Sequence, residues 1–151
     1  MQITRQADYA VRAVLYLAQL GPEMRAATSQ IAQEQRIPPS FLAKIVSQLS
    51  VAGLLQTSRG ARGGVSLARS PEQISLLEVV EAIDGPILLN ECVGESGGTC
   101  TFSDDCPMRP IWCDVQVELI DRLKNTNFAQ FIKPAGAPNN GHTREDVLSL
   151  N

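Results

Sequence analysis

Apolar residues recur at three- and four-residue intervals near the start of the chain. Ala7, Val11, Val14, Leu15 and Ala18 share one face of a predicted first helix, which Thr4 can cap and Gly21-Pro22 stops. A short second helix begins at Thr28 or Ser29 and carries Ile31 and Ala32. The tight connection Arg36-Ile37-Pro38 follows, and Pro39 stands at the first position of a third helix, a favoured place for proline. That helix carries Phe41, Leu42, Ile45, Val46 and Leu49 and ends at Gly53. The pattern then changes to two short β-compatible runs, Leu54-Leu55-Gln56-Thr57 and Val65-Ser66-Leu67. Ser58-Arg59-Gly60-Ala61-Arg62-Gly63-Gly64 joins them, which predicts a hairpin with a flexible, twice-cationic tip. Pro71 breaks the chain, and Ser75 with Glu78 forms a capping box that opens a fourth helix reaching about Asp84-Gly85-Pro86. After Pro110 a long helix carries Ile111, Trp112, Val115, Leu119, Ile120 and Leu123, an apolar stripe that must bury against something.

Helix, short helix, tight turn, helix and hairpin follow the order of a winged helix-turn-helix. The expected fold is therefore mainly α, a winged helix-turn-helix with a small β-hairpin wing and a long C-terminal dimerisation helix. The expected segments are a DNA-binding domain at 1–70, a connecting helix at 71–90, a cysteine-rich loop at 91–107, a dimerisation helix at 108–133 and a mobile tail at 134–151. A helix fits the major groove of B-DNA and can place short polar side chains on base edges. Ser40, Lys44, Ser47 and Gln48 lie opposite the apolar stripe of the third helix. Lys44 can donate to guanine or phosphate, and Gln48 can pair with adenine. At the hairpin tip, glycines let the backbone approach DNA, and Arg59 or Arg62 can enter a narrow minor groove. Thr28 and Pro39 complete the candidate DNA-contacting set. The competing reading makes the wing arginines solvated loop charges on a protein-contact module.

Charge supports the DNA reading. The 151 residues carry a net charge of -3, but residues 1–70 hold eight basic and three acidic residues and are +5, while 71–151 hold five basic and thirteen acidic and are -8. A basic half on an acidic chain points to a local polyanion-binding face. Hydrophobic residues at 44% and charged residues at 19% fit a globular protein and exclude general disorder. No apolar run reaches the length of a membrane span, and the start does not read as a signal peptide, so a cytoplasmic location is expected. There, cysteines are read as reduced thiols or metal ligands rather than disulfides.

Cys92, Cys100, Cys106 and Cys113 follow a C-x7-C-x5-C-x6-C spacing. No C-x2-C pair exists, which argues against a zinc ribbon or a thioredoxin-like site, and the bacterial ferredoxin run is missed as well. Three thiols in a glycine-rich loop could wrap a soft inorganic cluster or could be loop thiols without metal. Spacing alone does not choose. No nucleophile–base pair or phosphate loop is present, so an enzyme is not expected.

The opening Met1-Gln2-Ile3-Thr4, Asp8-Tyr9-Ala10-Val11-Arg12-Ala13, Ile37-Pro38-Pro39-Ser40-Phe41-Leu42-Ala43-Lys44-Ile45, Arg59-Gly60-Ala61-Arg62-Gly63-Gly64 and, most specifically, Ile74-Ser75-Leu76-Leu77-Glu78-Val79-Val80-Glu81-Ala82-Ile83-Asp84-Gly85-Pro86 resemble the Rrf-two family of bacterial repressors. The resemblance covers about residues 1–133. It implies a homodimeric transcription factor that binds double-stranded DNA at a pseudo-palindromic operator and dimerises through its long C-terminal helix. In some members an acidic side chain on the recognition helix selects among operators; the matching position here is Ala43.

The resemblance also implies an iron–sulfur cluster, of 2Fe–2S or 4Fe–4S type, held by Cys92, Cys100 and Cys106. The first gap, seven residues, is longer than the family's usual five. Where some members place a histidine ligand, three residues after the third cysteine, this chain has Arg109. The fourth ligand is open. Asp8 of the partner subunit matches one branch of the family and is the first candidate; otherwise it is a first-turn carboxylate favoured by the helix dipole. Cys113 is the alternative, or else a small buried hydrophobe. His142, the only histidine, falls in the tail. The expected function is a DNA-binding regulator, a repressor, whose operator binding responds to redox, nitric oxide or iron–sulfur status through this cluster. A cluster-free regulator that senses thiol oxidation or a small effector is one alternative, and a small electron-transfer protein is another.

Overall fold

A computed structural model describes residues 2–94, 100–102 and 105–133. The elements run in the order α1 (Arg5–Leu20), α2 (Thr28–Gln35), α3 (Pro39–Val51), β1 (Leu55–Ser58), β2 (Gly64–Leu67), α4 (Leu76–Asp84) and α5 (Arg109–Lys124). Short 3-10 turns lie at Pro71–Gln73, Glu91–Val93 and Phe128–Phe131. The expected winged helix-turn-helix is present: α1 to α3 followed by an antiparallel hairpin.

Local chemistry explains where the elements begin and turn. The Thr4 hydroxyl accepts from the Ala7 amide at 3.2 Å and caps α1. Thr4 also donates its amide and hydroxyl to the Asp84 carboxylate at the end of α4, at 3.0 and 2.5 Å. Between α2 and α3, Arg36 adopts a left-handed conformation (φ 52°, ψ 46°), and its amide closes α2 by donating to the Ala32 and Gln33 carbonyls. Ile37 is buried beneath this turn, and Pro39 opens α3.

In the wing, Leu55 pairs with Leu67 and Ser58 with Gly64. Ala26, just before α2, exchanges two backbone hydrogen bonds with Val65, at 3.0 and 2.8 Å, so the hairpin is sewn to the helix-turn-helix. Gly64 has φ 146°, and a Cβ there would stand 2.8 Å from the Ala26 carbonyl oxygen, so the position requires glycine.

The main core gathers Ala10, Ala13, Val14 and Leu17 of α1 with Ile31, Leu42, Ile45, Leu49, Val65, Ile74 and Val79. The buried face of α1 is broader than its expected stripe. Tyr9, Ala10, Ala13 and Leu17 are buried as well, while Val11 and Leu15 are only half-buried. A second cluster joins Ala7, Leu77, Val80 and Ile87 to Leu119, Ile120 and Leu123 of α5. The α5 helix is shorter than the 108–133 segment. Beyond Lys124 the chain folds back: Leu76 donates to the Thr126 carbonyl at 2.7 Å, Phe128 donates to that of Ile74 at 3.2 Å, and the Phe128 ring enters the main core. Residues 134–151, where the tail was expected, lie outside the described residues.

The capping box at the start of α4 is formed as expected. The Glu78 amide donates to the Ser75 hydroxyl at 3.2 Å, and the Ser75 amide donates to the Glu78 carboxylate at 2.9 Å. Arg69 adds a bond to that carboxylate at 2.8 Å. Partial burial would push the Glu78 carboxyl up, but the bonds from Ser75 and Arg69 outweigh it and hold the group below its ordinary range. A carboxyl lowered on folding stabilises the protein above its unfolded value, and that contribution is lost as pH falls through the folded one. Acid titration of thermal stability should therefore show a smaller loss through the carboxylate range in Glu78→Gln than in the wild type; equal losses would show that the pair is energetically silent.

Candidate nucleic-acid interface and cysteine loop

The α3 helix presents Ser40, Ala43, Lys44 and Ser47 to solvent, three or four residues apart on one face, while Leu42, Ile45, Val46 and Leu49 anchor the opposite face. Gln48 behaves differently from its expected place on the polar side. It is half-buried, and its Oε1 is enclosed without a hydrogen-bond partner among the described residues. One residue past Ser47 turns the side chain by about 100°, to the seam between the exposed face and the core. Thr28 and Pro39 are exposed and, with Ala32, Leu42 and Ala43, line an open cleft of about 390 Å³ between α2 and α3.

Among the described residues, three of the eight basic side chains of the N-terminal half are held by a neighbour and five are not: Arg5, Arg36, Lys44, Arg59 and Arg62. Arg12 is paired with Asp8, Arg25 donates to the Ser58 hydroxyl, and Arg69 is paired with Glu78. Lys44 on α3 and Arg59 and Arg62 at the wing tip are exposed, with no hydrogen bond or ion pair among the described residues. These three cations are free to neutralise phosphate. Ser40, Lys44 and Ser47 therefore share one exposed face, and Arg59 and Arg62 extend from the wing.

Asp8 sits in the first turn of α1, in an ion pair with Arg12 one turn later. That partner was not picked out from the sequence, although its i, i+4 spacing is the signal for it. The Asp8 bond pushes the Arg12 guanidinium pKa up. Arg12 also donates to the Gln35 carbonyl at the end of α2, at 3.4 Å, and lies 5.2 Å from the Tyr9 ring centroid. Tyr9 meets Phe41 of α3 edge to face, with centroids 6.2 Å apart. A line of contacts thus runs from the Asp8 carboxylate to α3.

All four cysteines are free thiols. Cys92 is buried in the turn Glu91–Val93, Cys100 and Cys106 are half-buried, and Cys113 is half-buried on α5. The Arg109 amide donates to the Cys106 carbonyl at 3.2 Å, and its Nε donates to the Cys92 carbonyl at 3.4 Å. Two of the three loop cysteines are thus tethered to one residue. In kind, three soft thiols fit an iron–sulfur group, and the permanently charged Arg109, which joins the backbone of Cys92 to that of Cys106, cannot itself ligate. Among the described residues no three cysteine, histidine or acidic side chains stand together as a metal-holding group, so this single chain does not bring Cys92, Cys100, Cys106, Asp8 and Cys113 together. Residues 95–99 and 103–104 of the loop, and His142, lie outside the described residues.

Fold, wing and unpaired cations define a winged-helix transcriptional regulator. The family model described as "Rrf2: Iron-dependent Transcriptional regulator" matches residues 3–134, and the chain belongs to this family. It is 33% identical over 111 residues to the HTH-type transcriptional regulator NsrR of Shouchella clausii, covering 74% of each chain. The solved structure of CymR, the global cysteine regulator of B. subtilis, superposes with a TM-score of 0.73 at 25% identity, covering 87% of this chain and 96% of that one. The fold is also that of T. potens IscR, with a TM-score of 0.71 at 22% identity over 92% of this chain and 93% of that one. These relatives are regulators rather than enzymes, and the electron-carrier alternative gives way to them. No helix among the described residues is long and apolar enough to cross a membrane.

Because the Gln48 carbonyl oxygen is enclosed without a partner, Gln48→Met should leave thermal stability unchanged or raise it. A marked fall in melting temperature would show that the amide is satisfied in solution.

Proposed function

We propose that this chain is a homodimeric repressor in the cytoplasm that binds a pseudo-palindromic operator in double-stranded DNA. In this reading an iron–sulfur cluster held by Cys92, Cys100 and Cys106 controls the binding, with Asp8 of the partner subunit as fourth ligand and Cys113 as the alternative. The observation that carries the reading is the presence, on one chain, of a cationic wing unpaired among the described residues and a cysteine loop tethered to the start of α5. The family model's description as iron-dependent supports it. When bound, such a cluster supplies a soft inorganic group that can change oxidation state or be dismantled by oxidants or nitric oxide.

The chain's own residues supply the rest. Met108, Ile111, Trp112 and Val115 of the α5 region are exposed, at 50, 53, 39 and 41%, and form an apolar stripe that a second copy would cover. Two-fold pairing places two reading helices on inverted half-sites. Lys44, Arg59 and Arg62 hold the phosphate backbone, and Ser40 and Ser47 face base edges, with Gln48 at the margin. Thr28 and Pro39 border the groove beside them. Asp8, when drawn to a partner's site, releases Arg12 from its ion pair. Arg12 also touches the end of α2 and Tyr9, so the release reaches Phe41 and the reading helix. Such a shift needs unequal affinity for the two states, which a ligand present in only one of them provides.

A second reading has one observation in its favour: no three metal-capable side chains converge among the described residues. It is a cluster-free regulator that senses thiol oxidation or a small effector. Anaerobic purification separates the two. The cluster reading expects a brown protein with stoichiometric iron and sulfide; a colourless, iron-free protein that still binds DNA supports the alternative. On DNA selected from a random pool, Arg59→Ala should weaken binding while leaving the visible absorbance intact, and unchanged binding would remove Arg59 from the interface. If a dimer neutralises roughly 6–8 phosphates, affinity should fall about a thousandfold or more between about 50 and 200 mM salt.

A further inference from the structure

Among the polar side chains of helix α5, Arg109 and Gln116 stand seven residues apart and so lie on one face, two turns from each other. Both are turned to the chain that leads into Cys92. The Gln116 Oε1 accepts from the Leu89 amide at 2.8 Å, and its Nε2 donates to the Ile87 carbonyl at 2.7 Å. The Arg109 Nε donates to the Cys92 carbonyl at 3.4 Å, and the Arg109 amide to that of Cys106 at 3.2 Å. Residues 85–90 have no helix or strand of their own, so Gln116 supplies hydrogen bonds that a backbone ladder would otherwise give. Ile87 is buried in the second core, where Leu119, Ile120 and Leu123 also pack. The chain is therefore laid along α5 and held at Ile87, Leu89 and Cys92, and Cys92 is buried at its end.

We propose that Gln116 and Arg109 are positioning residues for Cys92. Gln116 fixes the approach of the chain, Arg109 fixes the backbone of Cys92 against that of Cys106, and together they make the place of the Cys92 thiol follow α5. Movement of α5 is then movement of Cys92. This deepens the cluster reading and rests on it only for the metal-loaded measurement below; the placement of the thiol belongs to the protein alone.

The test is site-resolved alkylation of the reduced, metal-free full chain with N-ethylmaleimide, read by mass spectrometry. The wild type should protect Cys92. Gln116→Leu and Arg109→Ala should raise its rate by about tenfold, as loss of these partly buried hydrogen bonds favours local opening, while the Cys113 rate stays within about twofold. Arg109→Lys, which keeps a donor, should restore part of the protection. If Gln116→Leu fails to fold, Gln116→Glu, which keeps the acceptor for Leu89 and loses the donor to Ile87, gives the same readout at smaller size. Unchanged Cys92 rates in folded variants overturn the proposal, as does an equal rise at Cys113. After anaerobic reconstitution with iron and sulfide, Gln116→Leu should shift the visible spectrum and midpoint potential; identical values in a coloured protein count against it. A colourless wild type with Cys92 deprotected in the variants supports the positioning role and overturns the cluster alone.

Discussion

Helix α1 runs through the centre of the molecule, and small side chains make that possible. Ala7, Ala10 and Ala13 have no exposed surface, so neighbouring backbones approach closely where a larger residue would hold them apart. The reading helix α3 packs on α1, the start of α1 is tied to the end of α4 through Thr4 and Asp84, and Phe128 returns from beyond α5 to the same core. Any rotation of α1 is therefore felt at α3 and at α4. The Asp8, Arg12, Tyr9 and Phe41 contacts lie on the surface of this packing and give α1 a polar handle.

Against that rigid centre, the chain leaves unmet demands at its edges. Among the described residues Lys44, Arg59 and Arg62 face solvent unpaired on α3 and the wing, and the exposed apolar stripe from Met108 to Val115 asks for cover. The thiols of Cys92 and Cys106 sit on backbone that Arg109 joins. Polyanion, second copy and soft ligand are the partners in the proposed reading, and α5 borders the places of two of them. If a second copy covers that stripe, α5 faces it on one side and steadies Cys92 on the other, and so can carry a change at the thiols into the pair.

What the sequence made legible was local. Thr4, Pro39 and the Ser75–Glu78 box act within a few residues of themselves, so the starts of α1, α3 and α4 could be read directly. The glycines around the wing tip and the switch from helical to alternating periodicity marked the hairpin. The missed features depend on residues far apart in the chain. Gln116 looks like a polar interruption of an apolar stripe until residues 87 and 89 arrive against it. Phe128 reads as the continuation of a long helix until it is seen in the core. Gln48 and Ser47 are neighbours in sequence, but only packing decides which of them is enclosed. The cysteine spacing marked a loop able to wrap something, yet spacing encodes neither the closure of the chain nor the arrival of a second subunit, and among the described residues the thiols stand apart.

The central claim, that an inorganic group at the cysteine loop governs the reading head, is tested most directly on one anaerobic preparation. DNA affinity is measured before and after the iron is stripped by chelation, at fixed salt, with iron and sulfide assayed in each sample. The account predicts a change of at least about tenfold in affinity that is restored on reconstitution and absent from a Cys92→Ala, Cys100→Ala, Cys106→Ala triple variant. The same affinity in the loaded and stripped protein would contradict it.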